Sequence, residues 1–398
     1  MKLIESILAD AATIAKLRRD IHAHPELCFQ EQRTSDLIAK TLTDWDIPVH
    51  RGLGTTGVVG IIKRGSAKRA VGLRADIDAL PITERNTFAH ASTTPGKMHA
   101  CGHDGHTAML LAAARHLVKQ GDFDGTVYLV FQPAEEGGGG AREMIKDGLF
   151  EKFPMEAIFG AHNWPGMEVG QIGVKSGPIF ASSNEFRITV RGKGAHAAIP
   201  QAGIDPVPVA CQMVQAFQTI VARNVKPVET AVVSVTMIHA GEATNVIPES
   251  CELQGTVRTF TTETLDLIER RMSDIAQHTC AAFDATCDFE FVRNYPPVVN
   301  HAAETDFVRR TVADVIGPRN VLECEPTMTA EDFSYFLEAK PGCYFLIGNG
   351  DGAHRTLGHG MGPCTLHNPS YDFNDDLIPL GATMWVRLAE EWLKQPPR

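Results

Sequence analysis

The feature of this chain that most restricts its fold is a change in strand pattern between residues 183 and 295. Outside that block, short runs such as Ala70–Ala75 and Thr126–Gln132 are almost continuously apolar, which is typical of strands buried on both faces of a parallel sheet. Inside it, segments such as Asn184–Arg191 and Ala231–His239 alternate polar and apolar residues, which indicates antiparallel strands with one face in water. The pattern therefore predicts two kinds of sheet.

The outer parts of the chain also contain helical patterns. Residues 3–20 and Thr107–Gln120 have apolar residues at helical spacing, and further short apolar runs occur at Ala157–Ala161 and Tyr344–Ile347. Strands that alternate with helices predict an α/β domain with a central, mainly parallel sheet. We expect this domain to comprise residues 1–182 and 296–398.

The block 183–295 is predicted to be an inserted α+β domain with an antiparallel sheet. Helical stretches at roughly 205–223 and 262–281 lie between its alternating strands. A chain of 398 residues is long enough for two such domains.

Charge and cysteine content narrow the function and the compartment. Acidic residues outnumber basic ones by 48 to 37, a net charge of −11, so nucleic acid and anionic membranes are not expected as partners. The nine cysteines are odd in number and unpaired in spacing, which favours reduced thiols and a cytoplasmic location. The N-terminal segment has acidic residues within its apolar pattern, which predicts an amphipathic helix rather than a signal peptide.

Clusters of polar residues follow or precede the predicted core elements. They are Asp76 and Asp78; Cys101, His103, Asp104 and His106; Glu135 and Glu136; His162; and His367. In open α/β sheets, ligands bind at the carboxyl ends of the strands, so these clusters are expected to meet in one cleft.

The residue types in these clusters indicate a metal site. A thiolate, imidazoles and a carboxylate are good ligands for zinc-like divalent ions. Two adjacent carboxylates, Glu135 and Glu136, repel each other unless a cation is present. One of the two could bind metal while the other takes a proton from water.

Spacing alone leaves other histidines open as ligands. His99 and His106 compete with the set above, whereas His22 and His24 lie in a helix-to-turn region before Pro25 and are disfavoured. The glycine runs at 137–140 and 348–352 lack a Walker lysine, and no H-E-x-x-H or G-x-S-x-G motif occurs. Nucleotide-binding proteins, zincins and serine hydrolases are therefore disfavoured.

Taken together, several motifs resemble those of the M20 metallopeptidases, in particular the hippurate hydrolase and aminoacylase-like amidohydrolases. The motifs are LRADIDALPI (73–82), MHACGHDGHTAMLLAAA (98–114), FQPAEEGGGGAREMI (131–145), GKGAHAAIP (192–200), GEATNVIPE (241–249) and HNPSYDFNDD (367–376). The resemblance begins at RRDIHAHPEL (18–27) and extends along nearly the whole chain.

The resemblance implies roles for individual residues. The metal ligands would be Cys101, as the bridge between two metals, with His103, Glu136, His162 and His367. Glu135 would be the general base and Asp78 the aspartate that orients a ligand. In the inserted lid or dimerisation domain, His196 would stabilise the oxyanion, and Asn245 and Arg258 would hold the substrate carboxylate.

The chain departs from the broader family at two points. The usual H-x-D motif is Asp76-Ile-Asp78 here, and Cys101 replaces the usual bridging aspartate. Both departures are typical of the hippurate hydrolase-like branch, whose two divalent ions are Zn²⁺ or Mn²⁺, Co²⁺ or Ni²⁺.

The resemblance thus implies hydrolysis of N-acyl-L-amino acids by a homodimer or homotetramer formed through the inserted domain. Three alternatives stay open. They are a dipeptidase or aminopeptidase on the same scaffold, a metal-binding protein without turnover, and a protein whose main role is dimer formation.

Overall fold

The computed structural model describes residues 1–396. Its strands are β1 (Val49–Leu53), β2 (Gly57–Arg64), β3 (Ala70–Asp76), β4 (Gly125–Gln132), β5 (Ala157–Pro165), β6 (Ile172–Gly173), β7 (Gly177–Phe180), β8 (Ser183–Arg191), β9 (Ala195–His196), β10 (Ala231–Ala240), β11 (Val246–Ile247), β12 (Ser250–Thr259), β13 (Thr286–Tyr295), β14 (Val298–Asn300), β15 (Val321–Leu322) and β16 (Gly342–Gly350).

The α-helices are α1 (Glu5–Ala23), α2 (Gln32–Asp44), α3 (His103–Gln120), α4 (Gly140–Lys146), α5 (Leu149–Lys152), α6 (Pro206–Arg223), α7 (Thr262–Ala281), α8 (Ala302–Ile316), α9 (Ser334–Ala339) and α10 (Leu377–Lys394). Short 3₁₀ turns lie at Pro200–Ala202 and Pro318–Asn320.

The first of two structural units contains an eight-stranded sheet. This unit comprises Met1–Ile179, Val299–Glu325 and the described residues from Asp332 onward. Its strand order is β1-β2-β4-β3-β5-β16-β6-β15, and the four central strands β4, β3, β5 and β16 run parallel. The predicted α/β class with a mainly parallel central sheet is confirmed.

Burial explains why the central strands have apolar sequences. Every residue of β3 is buried, because helices cover the sheet and leave neither face of this strand in water. Helix α3 packs against α1 and α10, and almost all of its residues are buried. It begins at His103, four residues before the predicted start, because the polar metal-site motif occupies its first turn.

The second unit comprises Phe180–Val298 and Pro326–Glu331 and has an antiparallel sheet of order β10-β12-β8-β13. Side chains of β8 and β12 alternate between buried and less buried positions, as the alternating sequence predicts. Helices α6 and α7 cover the apolar face, where Ile188 and Leu253 pack with Phe217 and Ile268. This antiparallel α+β arrangement is the predicted one.

Local capping determines where α6 begins. Pro206 is the first helical residue, where its missing N–H removes no helix hydrogen bond, and the Asp205 carboxylate accepts a hydrogen bond from the Val207 N–H at 3.0 Å.

Among the described residues, no helix is both long enough and apolar enough to cross a lipid bilayer.

Candidate metal centre

Segments that are distant in sequence bring the predicted ligands together in the first unit. Strands β3, β4 and β5 are neighbours or near neighbours in the parallel part of the sheet, so their carboxyl ends lie on one edge. The residues at that edge are Asp76 at the end of β3, Asp78 just after it, Glu135 and Glu136 after β4, and His162 near the end of β5. His103, the first residue of α3, and Cys101, two residues before it, complete the set at this edge.

The donor atoms of these side chains form overlapping groups, in each of which all atoms lie within 4.8 Å of one another. The groups that contain a predicted ligand are Cys101 with His103 and His162, Cys101 with Glu136 and His367, His103 with Glu135 and Glu136, and His103 with Asp76 and His106. The structure therefore brings together all five predicted ligands and the predicted base.

The loop that carries His367 has an unusual backbone conformation. His367 has a φ of 60°, a conformation that is uncommon for residues other than glycine. Its N–H donates to the Ala100 carbonyl at 2.7 Å, next to Cys101, and its Nε2 lies 3.1 Å from Glu136 Oε1. The strained backbone thus holds the imidazole at the cluster, although the side chain is half-exposed.

Two of the imidazoles are oriented by their other ring nitrogen. His103 Nδ1 lies 3.1 Å from Asp78 Oδ1, and His162 Nδ1 donates to the Asn163 carbonyl at 2.7 Å. These contacts leave Nε2 of each ring directed at the cluster. Among residues 1–396, the buried Nε2 of His103 has no hydrogen-bond partner, and His162 Nε2 lies 3.3 Å from Cys101 Sγ.

The electrostatics of the cluster favour a cation. Burial raises the pKa of the Cys101 thiol, and the charges of Glu136 and Glu135 raise it further. Burial lowers the pKa of His103, but the charge of Asp76 and the hydrogen bond to Asp78 outweigh burial and raise it to about 10. A thiolate at this position therefore requires positive charge beside it, and the donor set fits divalent metal ions.

Asp78 connects two parts of the cluster. Its Oδ1 faces His103, and its Oδ2 accepts a hydrogen bond from the Glu136 N–H at 2.9 Å. Burial raises the pKa of Asp78, but the hydrogen bond and charge of His103 outweigh burial and keep the pKa below its ordinary value. As a carboxylate, Asp78 can orient both the imidazole and the loop that carries the glutamate pair.

The competing histidines differ from the predicted ligands in their surroundings. His106 Nδ1 donates to Asp76 Oδ1 at 2.6 Å, and His106 Nε2 lies 2.7 Å from Asn163 Oδ1. Both of its nitrogens therefore have partners in the protein. His99 is buried without a hydrogen-bond partner for either nitrogen among residues 1–396, but it belongs to none of the donor groups there.

One buried network near the cluster was not anticipated from the sequence. Arg18 contacts Asp104 at 3.0 Å and Asp372 at 3.1 Å, and His22 Nδ1 lies 2.9 Å from Asp104. His22 Nε2 also lies 3.2 Å from Glu84, so His22 has partners other than a metal. Arg18 and Asp372 lie in two of the motifs quoted above, but no spacing rule joins residues 354 positions apart.

The remaining predicted site residues lie in the second unit. His196 is exposed in β9, which pairs with β11, and the Asn245 carbonyl accepts a hydrogen bond from the Ala197 N–H at 3.0 Å. Arg258 is half-buried in β12, and burial lowers its pKa. Among residues 1–396, its hydrogen bonds are made by Nη1, which donates to the Thr256 hydroxyl and to the Val257 and Asn184 carbonyls.

The fold and the site define a class of protein. A mixed α/β unit holds buried thiol, imidazole and carboxylate donors at the carboxyl edge of a parallel sheet, with a second carboxylate beside them. This arrangement is that of a metal-dependent hydrolase.

Comparisons with known proteins identify the family. The model of peptidase family M20/M25/M40 matches residues 72–391. Hippurate hydrolase from Campylobacter jejuni is 39% identical over 398 residues, covering 99% of this chain and all of that protein. N-acetyl-L-cysteine deacetylase from Bacillus subtilis is 40% identical over 363 residues, covering 91% of this chain and 84% of that protein.

A solved structure agrees with these matches. The dinuclear metal-binding peptidase of the M20 family from Bacillus subtilis superposes with a TM-score of 0.83 at 32% identity, covering 98% of this chain and all of that one. The chain therefore belongs to peptidase family M20/M25/M40, and it is a metallo-amidohydrolase.

Proposed function

We propose that this enzyme hydrolyses the amide bond of N-acyl-L-amino acids, as a hippurate hydrolase or aminoacylase does, with two divalent metal ions per subunit. The observation that carries the proposal is the meeting of Cys101, His103, Glu136, His162 and His367 in overlapping donor groups that also include Glu135. The relatives that act on hippurate and on N-acetyl-L-cysteine support this substrate class.

The five donors would hold the ions, with Cys101 placed to serve both. Its sulfur belongs to one donor group with two imidazoles and to another with Glu136 and His367. When bound, divalent ions supply Lewis acidity, which polarises a carbonyl and acidifies water. The thiol favours Zn²⁺, whereas the imidazoles and Glu136 also suit Mn²⁺, Co²⁺ or Ni²⁺.

Glu135 is proposed to move the proton. It is buried, and Glu135 Oε1 accepts a hydrogen bond from the Asp332 N–H at 3.4 Å, which fixes the carboxylate beside the donor groups. Glu135 would take a proton from water as the water oxygen bonds to the acyl carbon. It would then give this proton to the amine nitrogen as the C–N bond breaks, releasing a carboxylic acid and an amino acid.

Residues of the second unit are proposed to contact the substrate. The imidazole of His196 would donate a hydrogen bond to the oxyanion, and Asn245 and Arg258 would hold the α-carboxylate. Since Arg258 uses only Nη1 for hydrogen bonds among residues 1–396, its Nε and Nη2 remain as a planar fork that suits a carboxylate.

The assembly and location are part of the same proposal. We infer a homodimer or homotetramer formed through residues 183–295, which would act as the lid and dimerisation domain inserted between residues 1–182 and 296–398. The unpaired cysteines favour the cytoplasm.

A peptidase activity is the second candidate function. The solved relative from Bacillus subtilis is described as a peptidase, and an arginine that holds an α-carboxylate serves dipeptides as well as acylated amino acids. A metal-binding protein without turnover is disfavoured by Glu135, because binding the ions does not require a second buried carboxylate beside Glu136.

A substrate panel with defined metals tests the proposal. The purified chain is stripped of metal, reloaded separately with Zn²⁺, Mn²⁺, Co²⁺ or Ni²⁺, and assayed with benzoylglycine, N-acetylated amino acids and dipeptides. We expect kcat/KM to be highest for acylated amino acids and activity to vanish without metal. Higher kcat/KM for dipeptides with every metal would establish the peptidase instead, and no turnover of any amide would contradict both.

A further inference from the structure

Asn163, the residue that follows His162 in β5, has a fully buried side chain with partners at both ends. Its Oδ1 lies 2.7 Å from His106 Nε2, and its Nδ2 donates to the Tyr371 hydroxyl oxygen at 2.6 Å. Its backbone is also engaged, because its nitrogen lies 3.1 Å from His106 Nε2 and its carbonyl accepts from His162 Nδ1.

These contacts join the segments that carry the proposed ligands. His106 lies one helical turn after His103 and is bonded to Asp76, whose Oδ2 lies 3.7 Å from His103 Nε2. Tyr371 lies four residues after His367 in the same loop. Asn163 therefore connects the start of α3, the end of β5 and the C-terminal loop.

These segments lie so close together that position 102, next to Cys101, requires a glycine. A Cβ on Gly102 would lie 2.3 Å from Asn163 Oδ1 and 2.6 Å from the Tyr371 hydroxyl oxygen. Gly102 also has a φ of 100°, which side chains rarely permit. The amide of Asn163 thus packs directly against the backbone between Cys101 and His103.

We propose that Asn163 is a positioning residue for the metal ions: it fixes the relative placement of Cys101, His103, His162 and His367 while contributing no donor atom to a metal. This inference rests on the ligand set of the proposed function. Because these four ligands come from three separate segments, the affinity for the ions depends on how rigidly those segments are held, and partners of this kind typically contribute 10- to 100-fold in metal affinity.

The test measures metal binding directly. Asn163→Ala removes both side-chain contacts, and Tyr371→Phe removes only the hydroxyl that the Asn163 amide meets. Asn300→Ala is the matched control. Asn300 is a buried asparagine of the same unit, and its side chain bonds to the backbone of Lys175 at 2.9 Å and of Tyr344 at 2.7 Å, in segments that carry no proposed ligand. Each variant is titrated with Co²⁺, and the absorption bands of the cobalt protein are recorded.

We expect Asn163→Ala to raise the Kd for Co²⁺ at the weaker site by about 10- to 100-fold and to change the cobalt bands. Tyr371→Phe should raise the Kd and change the cobalt bands in the same direction, but to a smaller extent than Asn163→Ala. Asn300→Ala should lower the Tm of the metal-free protein and leave the Kd unchanged. A wild-type Kd and spectrum for Asn163→Ala would overturn the inference. If that variant does not fold, unchanged binding by Tyr371→Phe overturns it.

A variant of a proposed ligand separates this inference from the function on which it rests. His162→Ala should lose at least one cobalt ion per subunit. Full cobalt binding by His162→Ala would refute the ligand set itself, whereas loss in His162→Ala with normal binding in Asn163→Ala would refute only the positioning role.

Discussion

Two buried polar clusters in the first unit contain neighbouring residues of α3, His103 and Asp104, and they differ in how their charges are balanced. Asp104 belongs to the network in which Arg18 contacts three carboxylates, those of Asp104, Asp372 and Asp375. His103 belongs to the cluster in which carboxylates and a thiol lie within 4.8 Å of imidazoles, and its Nε2 has no hydrogen-bond partner among residues 1–396.

The difference separates a structural cluster from a metal site. In the Arg18 network the protein supplies its own cation. Burial raises the pKa of Asp372, but the charge of Arg18 and the hydrogen bonds of His359 and His90 together keep it well below its usual value. In the His103 cluster, burial and the nearby glutamates raise the pKa of Cys101. In this cluster the positive charge is carried by His103, whose pKa is raised to about 10, and a metal ion can replace an imidazole proton whereas it cannot replace the guanidinium of Arg18.

The largest expected effect comes from the metal cluster. Glu135→Gln removes the proposed proton carrier but no proposed ligand, so kcat should fall by about 10²- to 10⁴-fold while metal content stays at the wild-type value. Steady-state kinetics measures kcat, and elemental analysis measures the metal content. Glu143→Gln, at a half-exposed glutamate paired with Lys146, should leave kcat unchanged. A near-normal kcat in Glu135→Gln would show that Glu135 is not the general base.

A substitution in the Arg18 network should instead lower the stability of the protein. Arg18→Met leaves buried carboxylates without their cation, so the free energy of unfolding of the metal-free protein should fall by about 3–5 kcal/mol. Urea denaturation measures it. The neighbouring Arg19 is half-exposed and pairs with Asp375, so Arg19→Met should cost about 1 kcal/mol or less. Equal losses in the two variants would show that the buried network is not what stabilises this region.

Replacement of the Cys101 sulfur should weaken metal binding while changing the stability of the metal-free protein little. Cys101→Ser is expected to raise the Kd for Zn²⁺ by about 100-fold or more, because a ligand contributes at least as much as the residues that orient it. Cys343→Ser, at a fully buried cysteine of β16, serves as the control and should keep the wild-type Kd. Competition with a chelator measures both values, and a normal Kd in Cys101→Ser would argue that the sulfur is not a ligand.

The Arg18 network should also show a pH dependence. Burial lowers the pKa of His22, but the charge of Asp104 and hydrogen bonds to Asp104 and Glu84 raise it from 6.5 to about 10. Because the folded pKa lies above the unfolded one, the stabilisation is complete below about pH 6.5 and is lost as the pH rises towards 10.

The free energy of unfolding of the metal-free protein, measured between pH 6 and 10, should show this loss. His22→Gln should reduce the dependence, leaving the part due to His103, whose pKa is also raised to about 10. His24→Gln, at a half-exposed histidine, should retain the full dependence. An unchanged slope in His22→Gln would show that another group is responsible.

Much of the fold could be predicted from the sequence because it depends on local pattern. The helix predicted at 262–281 is α7 (Thr262–Ala281), and the strand predicted at Thr126–Gln132 is β4 with one more residue. The start of α3 was predicted four residues late, since its first turn consists of polar residues whose burial depends on other segments.

The members of the candidate site could be found through the resemblance, but their surroundings could not. Spacing left His106 open as a ligand, and the structure shows that both of its nitrogens have protein partners. The Arg18–Asp372 contact and the links made by Asn163 have no signal in residue spacing, because they join segments that are close only after folding.

The sequence by itself determined the two types of sheet and the chemical nature of the polar clusters, since periodicity and residue type are local properties. Only the tertiary structure decided which buried carboxylates face the guanidinium of Arg18 and which lie with imidazoles and a thiol in groups that can bind a metal ion. The reason is that charge balance in a low-dielectric interior depends on distances between side chains, and those distances are set by the packing of segments hundreds of residues apart.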